Sequence, residues 1–199
     1  NDGSETIPWG IQEIGADKAH NENLDGKNIK IAILDTGVSN HPDLNIASGV
    51  SFVEESDTNT DSNGHGTMVA GVIAALENKE GIVGVAPRAD IFSVKVLDSQ
   101  GSGSYSQVIE GIDWAIQNGM NIISLSLGGT IDSQALHEAI QKATSKGILV
   151  VAAAGNNGAG EETELYPALY PEVISVGAID QSRNRAIVLF SLVQERKLI

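Results

Sequence analysis

The chain contains no cysteine among its 199 residues, and that single absence excludes disulfides, thiolate metal sites and cysteine nucleophiles together. It does not identify a compartment, because secreted proteins can lack cysteine and then need another staple. Basic residues are scarce, 12 Lys and Arg against 26 Asp and Glu, for a net charge of -14. Such a surface repels phosphate backbones and anionic lipid, so neither nucleic acid nor membrane is expected as a partner, and it is compatible with binding cations. Charged residues make up 19% of the chain, below the roughly 25% usual for soluble proteins. No apolar run approaches the ~20 residues that span a bilayer. The chain starts at Asn1 with neither an initiator Met nor a basic-then-apolar leader, which predicts a processed or shortened start.

What is present is an alternation of β-branched and helical stretches, with no internal repeat and no low-complexity linker. "NIKIAIL" (Asn28–Leu34), "DIFSVKVL" (Asp90–Leu97), "NIISLSL" (Asn121–Leu127), "ILVVAAA" (Ile148–Ala154) and "VISVGAI" (Val173–Ile179) read as strands. They have few polar breaks, as expected of strands covered on both faces in a parallel sheet. Helical stretches lie between them, at Thr67–Leu76, Ser106–Asn118 and Ser133–Lys146. Val108, Ile112, Ala115 and Ile116 share one face of the second, and Leu136, Ala139, Ile140 and Ala143 one face of the third. Gly119 and Gly147 follow these two helices, where a left-handed cap is favoured. The pattern predicts a single α/β domain, a doubly wound and mostly parallel sheet with helices on both faces. Ligands in such folds bind outside the carboxyl ends of the strands.

Those strand ends carry polar and glycine-rich continuations: "DTG" after Leu34, "GGT" after Leu127, "GNNG" after Ala154. Asp35, Gly128, Gly129, Gly155 and Asn156 should therefore converge along one edge of the sheet. The segment "DSNGHGTMVAG" could deliver His65 to the same edge. Taken singly, each has an ordinary explanation. Asp35 can be a turn residue, Asn156 a residue tolerant of left-handed turns, and His65 a histidine at a helix start.

In conjunction, "LDTG", "NGHGTMVAG", "SLGG" and "AAAGN", in that order and at those intervals, resemble the subtilisin-like serine proteases, the subtilase family. The resemblance runs from about Ile7 to about Ala186. It implies a serine endopeptidase in which His65 is the general base and Asp35 holds its other ring nitrogen. Asn156 would donate to the oxyanion of the tetrahedral intermediate. It further implies that "GSGSY", through Gly101, Ser102 and Gly103, pairs its backbone with an extended peptide substrate. Leu125, Ser126, Leu127 and Gly128 form the opposite wall. Ala153, Ala154, Gly155 and Asn157 would line a primary pocket for large apolar side chains.

The same resemblance implies bound Ca²⁺ in the loop "LENKEGIVGVAP". The ligands would be Asp43, the backbone oxygens of Leu76, Glu80 and Ile82, the Asn78 side chain, and Glu5 near the place of an N-terminal amide. A weaker cation site would use the oxygens of Ala168, Tyr170 and Val173. Implied partners are a peptide or protein substrate, and a propeptide or proteinaceous inhibitor. The implied location is extracellular, with an intracellular bacterial protein as the alternative.

The chain departs from the family in one respect. The family's nucleophile lies in Gly-Thr-Ser followed by Met-Ala, well after the oxyanion Asn. Here only Ser175, Ser182 and Ser191 follow Asn156, and none has that context. Three readings result: an endopeptidase whose given sequence is incomplete or altered at its end, a catalytically dead peptide-binding module, or an unrelated α/β binding domain. The first is preferred, because a dead module has no need to keep Asp35, His65 and Asn156 together. The tail "AIVLFSLVQERKLI" (Ala186–Ile199) is atypical for the family. One codon choice for Leu192 to Ile199, read one base out of frame, gives Gly-Pro-Gly-Thr-Glu-Ile-Asp. That is similar to the family's continuation, so a frameshift is expected, with the serine segment downstream. A domain without that segment's helix should leave an apolar trough open beside the sheet.

Overall fold

The computed structural model describes residues 5–54, 60–156 and 164–184. Two short helices, α1 (Trp9–Glu13) and α2 (Ala16–Asn21), precede the first strand, β1 (Lys30–Asp35). There follow β2 (Ile46–Ser51), α3 (His65–Ala74), β3 (Asp90–Lys95), α4 (Tyr105–Gln117), β4 (Ile122–Leu125), α5 (Gln134–Ser145), β5 (Leu149–Ala153) and β6 (Ile174–Val176). The strands form one sheet in the order β2-β3-β1-β4-β5-β6, and every pairing between them is parallel. Among the described residues no helix is long and apolar enough to cross a membrane.

β1 runs through the middle of the sheet and is buried from Ile31 to Asp35. Its side chains alternate between two cores. Ile31 and Ile33 pack with Ala70 and Ala74 of α3. Ala32 and Leu34 pack with Ile112 and Ala115 of α4 and Ile140 of α5. This two-sided burial is why the strand reads as an unbroken apolar run. The helices hold their registers through caps. Ser104 and Gln107 form a reciprocal capping box at the start of α4, and Ser133 caps α5. Gly119 and Gly147 adopt φ of 65° and 81°, the left-handed conformation expected after α4 and α5.

The sheet is doubly wound with helices on both faces, but the cover is uneven. On the α3 side, Leu149, Ile174 and Val176 are exposed, as are Met68 and Val72 of α3. A cavity of about 160 Å³ opens there, lined by Met68, Val72, Ser124, Val151, Ala153 and Val176 among others. Among the described residues this side of the sheet presents an apolar surface. The sequence pattern does not point to β2, α1 or α2. β2 is an edge strand whose Ala47 and Ser48 are exposed, and its register with β3 is irregular between Ile46 and Ser48. The tail from Arg185 onward, and with it the atypical segment, lies outside the described residues.

Candidate active site

Asp35 ends β1 and His65 begins α3, so both stand at the carboxyl edge of the sheet. Both are buried, at 0% and 5% exposure. The His65 Nδ1 lies 2.7 Å from Asp35 Oδ1 and 2.9 Å from Oδ2. A neutral imidazole that donates from Nδ1 to a carboxylate keeps its lone pair on Nε2, which is the form a general base needs. Asp35 Oδ1 also accepts from the Thr36 N–H at 2.7 Å, so the carboxylate is held from both sides.

The approach of α3 to the β1 turn depends on glycine. Gly64 precedes α3 with φ 93°, in the left-handed region that side chains resist. A β-carbon on Gly66 would overlap the Gly37 carbonyl oxygen. The sequence "NGHGT" thus lets the helix start pack directly on the turn that carries Asp35.

His65 opens into a groove of about 430 Å³. Its lining includes Gly101, Ser102 and Gly103, Ser126, Leu127 and Gly128, and Ala153, Gly155 and Asn156. The structure thus brings His65, both loops and Asn156 to one groove. Two of the residues expected there lie elsewhere. Leu125 is buried in the core shared with α4 and α5. Ala154 commits its backbone to Val176 and Leu165, and it is not among the lining residues. Asn157 lies outside the described residues. Groove residues that the sequence did not single out include Thr36, Asn63, Leu97 and Leu165. Asn63 accepts from the His65 N–H at 3.3 Å and donates to the Ser99 carbonyl at 3.1 Å. It ties the histidine's loop to the chain leading to Gly101.

The residues expected at the cation loop also converge. Asp43 Oδ1 accepts from the Asn78 side chain at 2.9 Å, and Asp43 Oδ2 from the Ile82 N–H at 3.4 Å. Its backbone oxygen accepts from the Leu76 N–H at 3.0 Å. Glu5 Oε1 accepts from the N–H groups of Asn78 and Lys79 at 2.8 and 3.1 Å. Asn78 Oδ1 accepts from the Glu80 N–H at 2.9 Å. Two carboxylates and an amide are hard oxygen donors, whose chemistry suits Ca²⁺ and not a soft metal. Among the described residues no three His, Cys, Asp or Glu side chains cluster as metal ligands, so backbone oxygens would have to complete the shell.

At the weaker candidate, Tyr170 is packed face to face on His137, with ring centroids 4.1 Å apart. Its hydroxyl lies within hydrogen-bond distance of two acceptors for its one proton, Asp132 Oδ1 at 3.0 Å and the Ser133 carbonyl at 2.9 Å. Burial and the Asp132 carboxylate push the Tyr170 phenol up to about 12. The Tyr170 carbonyl accepts from the Val173 N–H at 3.0 Å, and Ala168 is buried.

Comparison with known proteins gives a consistent result. A sequence profile described as the Subtilase family matches residues 26–196. Subtilisin Savinase of Lederbergia lenta is 52% identical over 183 residues, which is 92% of this chain and 67% of that protein. An alkaline protease of Alkalihalobacillus alcalophilus is 52% identical over 92% of this chain and 48% of its own length. Subtilisin E of Bacillus subtilis is 50% identical, over 92% of this chain and 49% of its own length. The chain therefore spans about half to two thirds of the length of the relatives it matches.

Proposed function

The chain belongs to the subtilase family, and we propose that it carries the acid–base half of a serine endopeptidase. Asp35 and His65 are two members of an Asp-His-Ser triad. His65 takes the proton of the serine hydroxyl through Nε2 and returns it to the leaving amine. Asp35 fixes the tautomer and stabilises the imidazolium as it forms. Asn156 donates to the oxyanion. The serine is not found in family context within the 199 residues, so the chain alone is expected to be inactive. The observation that carries this reading is the buried Nδ1 contact between His65 and Asp35 at 2.7 Å, at the head of a groove that also holds Asn156.

In this reading the substrate lies extended between Gly101–Gly103 and Ser126–Gly128, pairing main chain with main chain. Ala153 and Gly155 would select large apolar side chains, because small residues leave room and neither is charged. The substrate is a peptide or protein, and a propeptide or proteinaceous inhibitor would occupy the same groove. The acidic balance of the chain weighs against nucleic acid and anionic membrane. The proposed location is extracellular, with an intracellular bacterial protein as the alternative. Asp43, Asn78, Glu5 and the carbonyls of Leu76, Glu80 and Ile82 would hold Ca²⁺. Bound there, the ion would cross-link the N-terminal segment to the loop in a chain without disulfides.

The test is hydrolysis by the complete gene product. Cleavage after large apolar residues, abolished by a serine-directed phosphonylating reagent, is the expected result. A complete product that folds, binds peptides and cleaves none would overturn the reading.

A further inference from the structure

Two side chains beside the Asp35–His65 pair, the buried Lys95 and the half-buried Asp61, have no part in the proton transfers described above. Lys95 ends β3 and is 1% exposed. It occupies the register position paired with Asp35 on the neighbouring strand. An ammonium is not buried without return. Its Nζ donates to the Thr36 carbonyl at 2.6 Å and to the Leu97 carbonyl at 2.9 Å. These are carbonyls just past the ends of β1 and β3, where the ladder no longer supplies N–H donors. Lys95 thus ties the turn that carries Asp35 to Leu97, which lines the substrate groove.

Asp61 grips the same turn from the other side. Its Oδ1 accepts from the Thr36 hydroxyl at 2.8 Å and the Gly64 N–H at 2.8 Å. Its Oδ2 accepts from the Thr67 N–H at 2.9 Å and the Thr67 hydroxyl at 2.6 Å. The Thr36 hydroxyl in turn accepts from the Gly66 N–H at 3.0 Å. Every polar atom of Thr36 is therefore committed: N–H to Asp35, carbonyl to Lys95, hydroxyl to Asp61 and Gly66. Thr36 is next in sequence to Asp35, and Gly66 is next to His65. Whatever fixes Thr36 fixes the distance between the two.

We propose that Lys95 and Asp61 are positioning residues for the Asp35–His65 pair, acting through Thr36. Neither is in hydrogen-bond contact with His65. Lys95 sets the main chain after Asp35 and its spacing from Leu97, and Asp61 locks the start of α3 onto the Thr36 hydroxyl. The inference rests on the assignment of Asp35 and His65 as an acid–base pair.

The experiment uses the 199-residue chain, labelled with ¹⁵N at histidine. A proton on His65 Nδ1 held by a buried carboxylate should give a far-downfield, slowly exchanging resonance. Lys95→Met keeps the volume and removes the donors, and Asp61→Asn removes the charge and one acceptor. Each is expected to speed exchange of that proton at least about tenfold, the size of effect that loss of a buried hydrogen bond produces. Ile140→Val, in α5 away from the pair, is the matched control. It lowers the melting temperature and leaves the resonance alone. Unchanged exchange in cooperatively melting Lys95→Met and Asp61→Asn overturns the proposal, as does an equal response in Ile140→Val. If Lys95→Met does not fold, Asp61→Asn alone decides. Absence of the resonance from the wild-type chain would instead overturn the Asp35–His65 pairing, and the proposal with it.

Discussion

Gly66 packs so closely on Gly37 that any β-carbon at residue 66 would overlap the Gly37 carbonyl oxygen and crowd the Asp35 side chain. The contact is backbone against backbone, so no rotamer change can relieve it. Gly66→Ala should therefore push the start of α3 away from β1 and lengthen the His65–Asp35 contact. Overpacking of this kind costs about 1–3 kcal/mol, readable as a lower urea midpoint at unchanged slope. An alanine variant as stable as the parent, with the His65 Nδ1 proton still protected, would show that the two turns do not depend on this contact.

Calcium should stabilise the fold. Glu5, Asp43 and the Asn78–Ile82 loop are far apart in sequence and meet through hydrogen bonds on exposed or half-buried groups, which water competes with. An ion bound only to the folded chain adds about 2.7 kcal/mol at a hundredfold excess over Kd. Melting with and without a chelator measures it. The calcium-dependent increment should vanish in Asp43→Ala, and a midpoint indifferent to chelator in the parent would remove the assignment.

The sequence foretold more of this site than its simplicity suggests, and what it hid has a physical cause. β1 and the helices α4 and α5 are legible because both faces of the strand and one face of each helix are buried, so apolar periodicity records them directly. β2 is not, since Ala47 and Ser48 of this edge strand are exposed. Asp35 and His65 show up in the glycine-bounded motifs that close backbone approach demands. Lys95 and Asp61 leave a fainter trace: a lone lysine in an apolar strand, and an aspartate ahead of a helix start. Their partners in Thr36 are 59 and 25 residues away. No local pattern encodes a hydrogen bond between loops that only the sheet order brings together.

In a complete enzyme, Asn156→Ala should lower kcat by roughly 10²–10³, the range known for loss of one oxyanion donor, with KM little changed. The reason is that charge on the carbonyl oxygen develops in the transition state and not in the bound substrate. Steady-state kinetics on an apolar peptide ester or amide separates the two parameters. A rise in KM at constant kcat would assign Asn156, an exposed residue lining the groove, to ground-state binding.

Acid should loosen the grip of Asp61. Burial alone would raise the Asp61 carboxyl, but hydrogen bonds from the Thr67 hydroxyl, the Gly64 and Thr67 N–H groups and the Thr36 hydroxyl outweigh it. They hold the carboxyl below its ordinary value of 3.8. Its place ahead of α3 adds the favourable end of the helix dipole. The groups that hydrogen-bond to it are uncharged. Because the folded state binds this proton less readily than the unfolded chain, stability falls as pH falls. The contribution is complete above the ordinary carboxyl range and is lost as pH drops through the depressed folded value. Asp61→Asn has no such proton to bind. The stability gap between the parent and Asp61→Asn should therefore be constant near neutrality and narrow below about pH 4, with urea melts at a series of pH values as the measurement. A gap that stays constant into strong acid would mean that the carboxylate's charge contributes nothing to holding Thr36 and the start of α3 together.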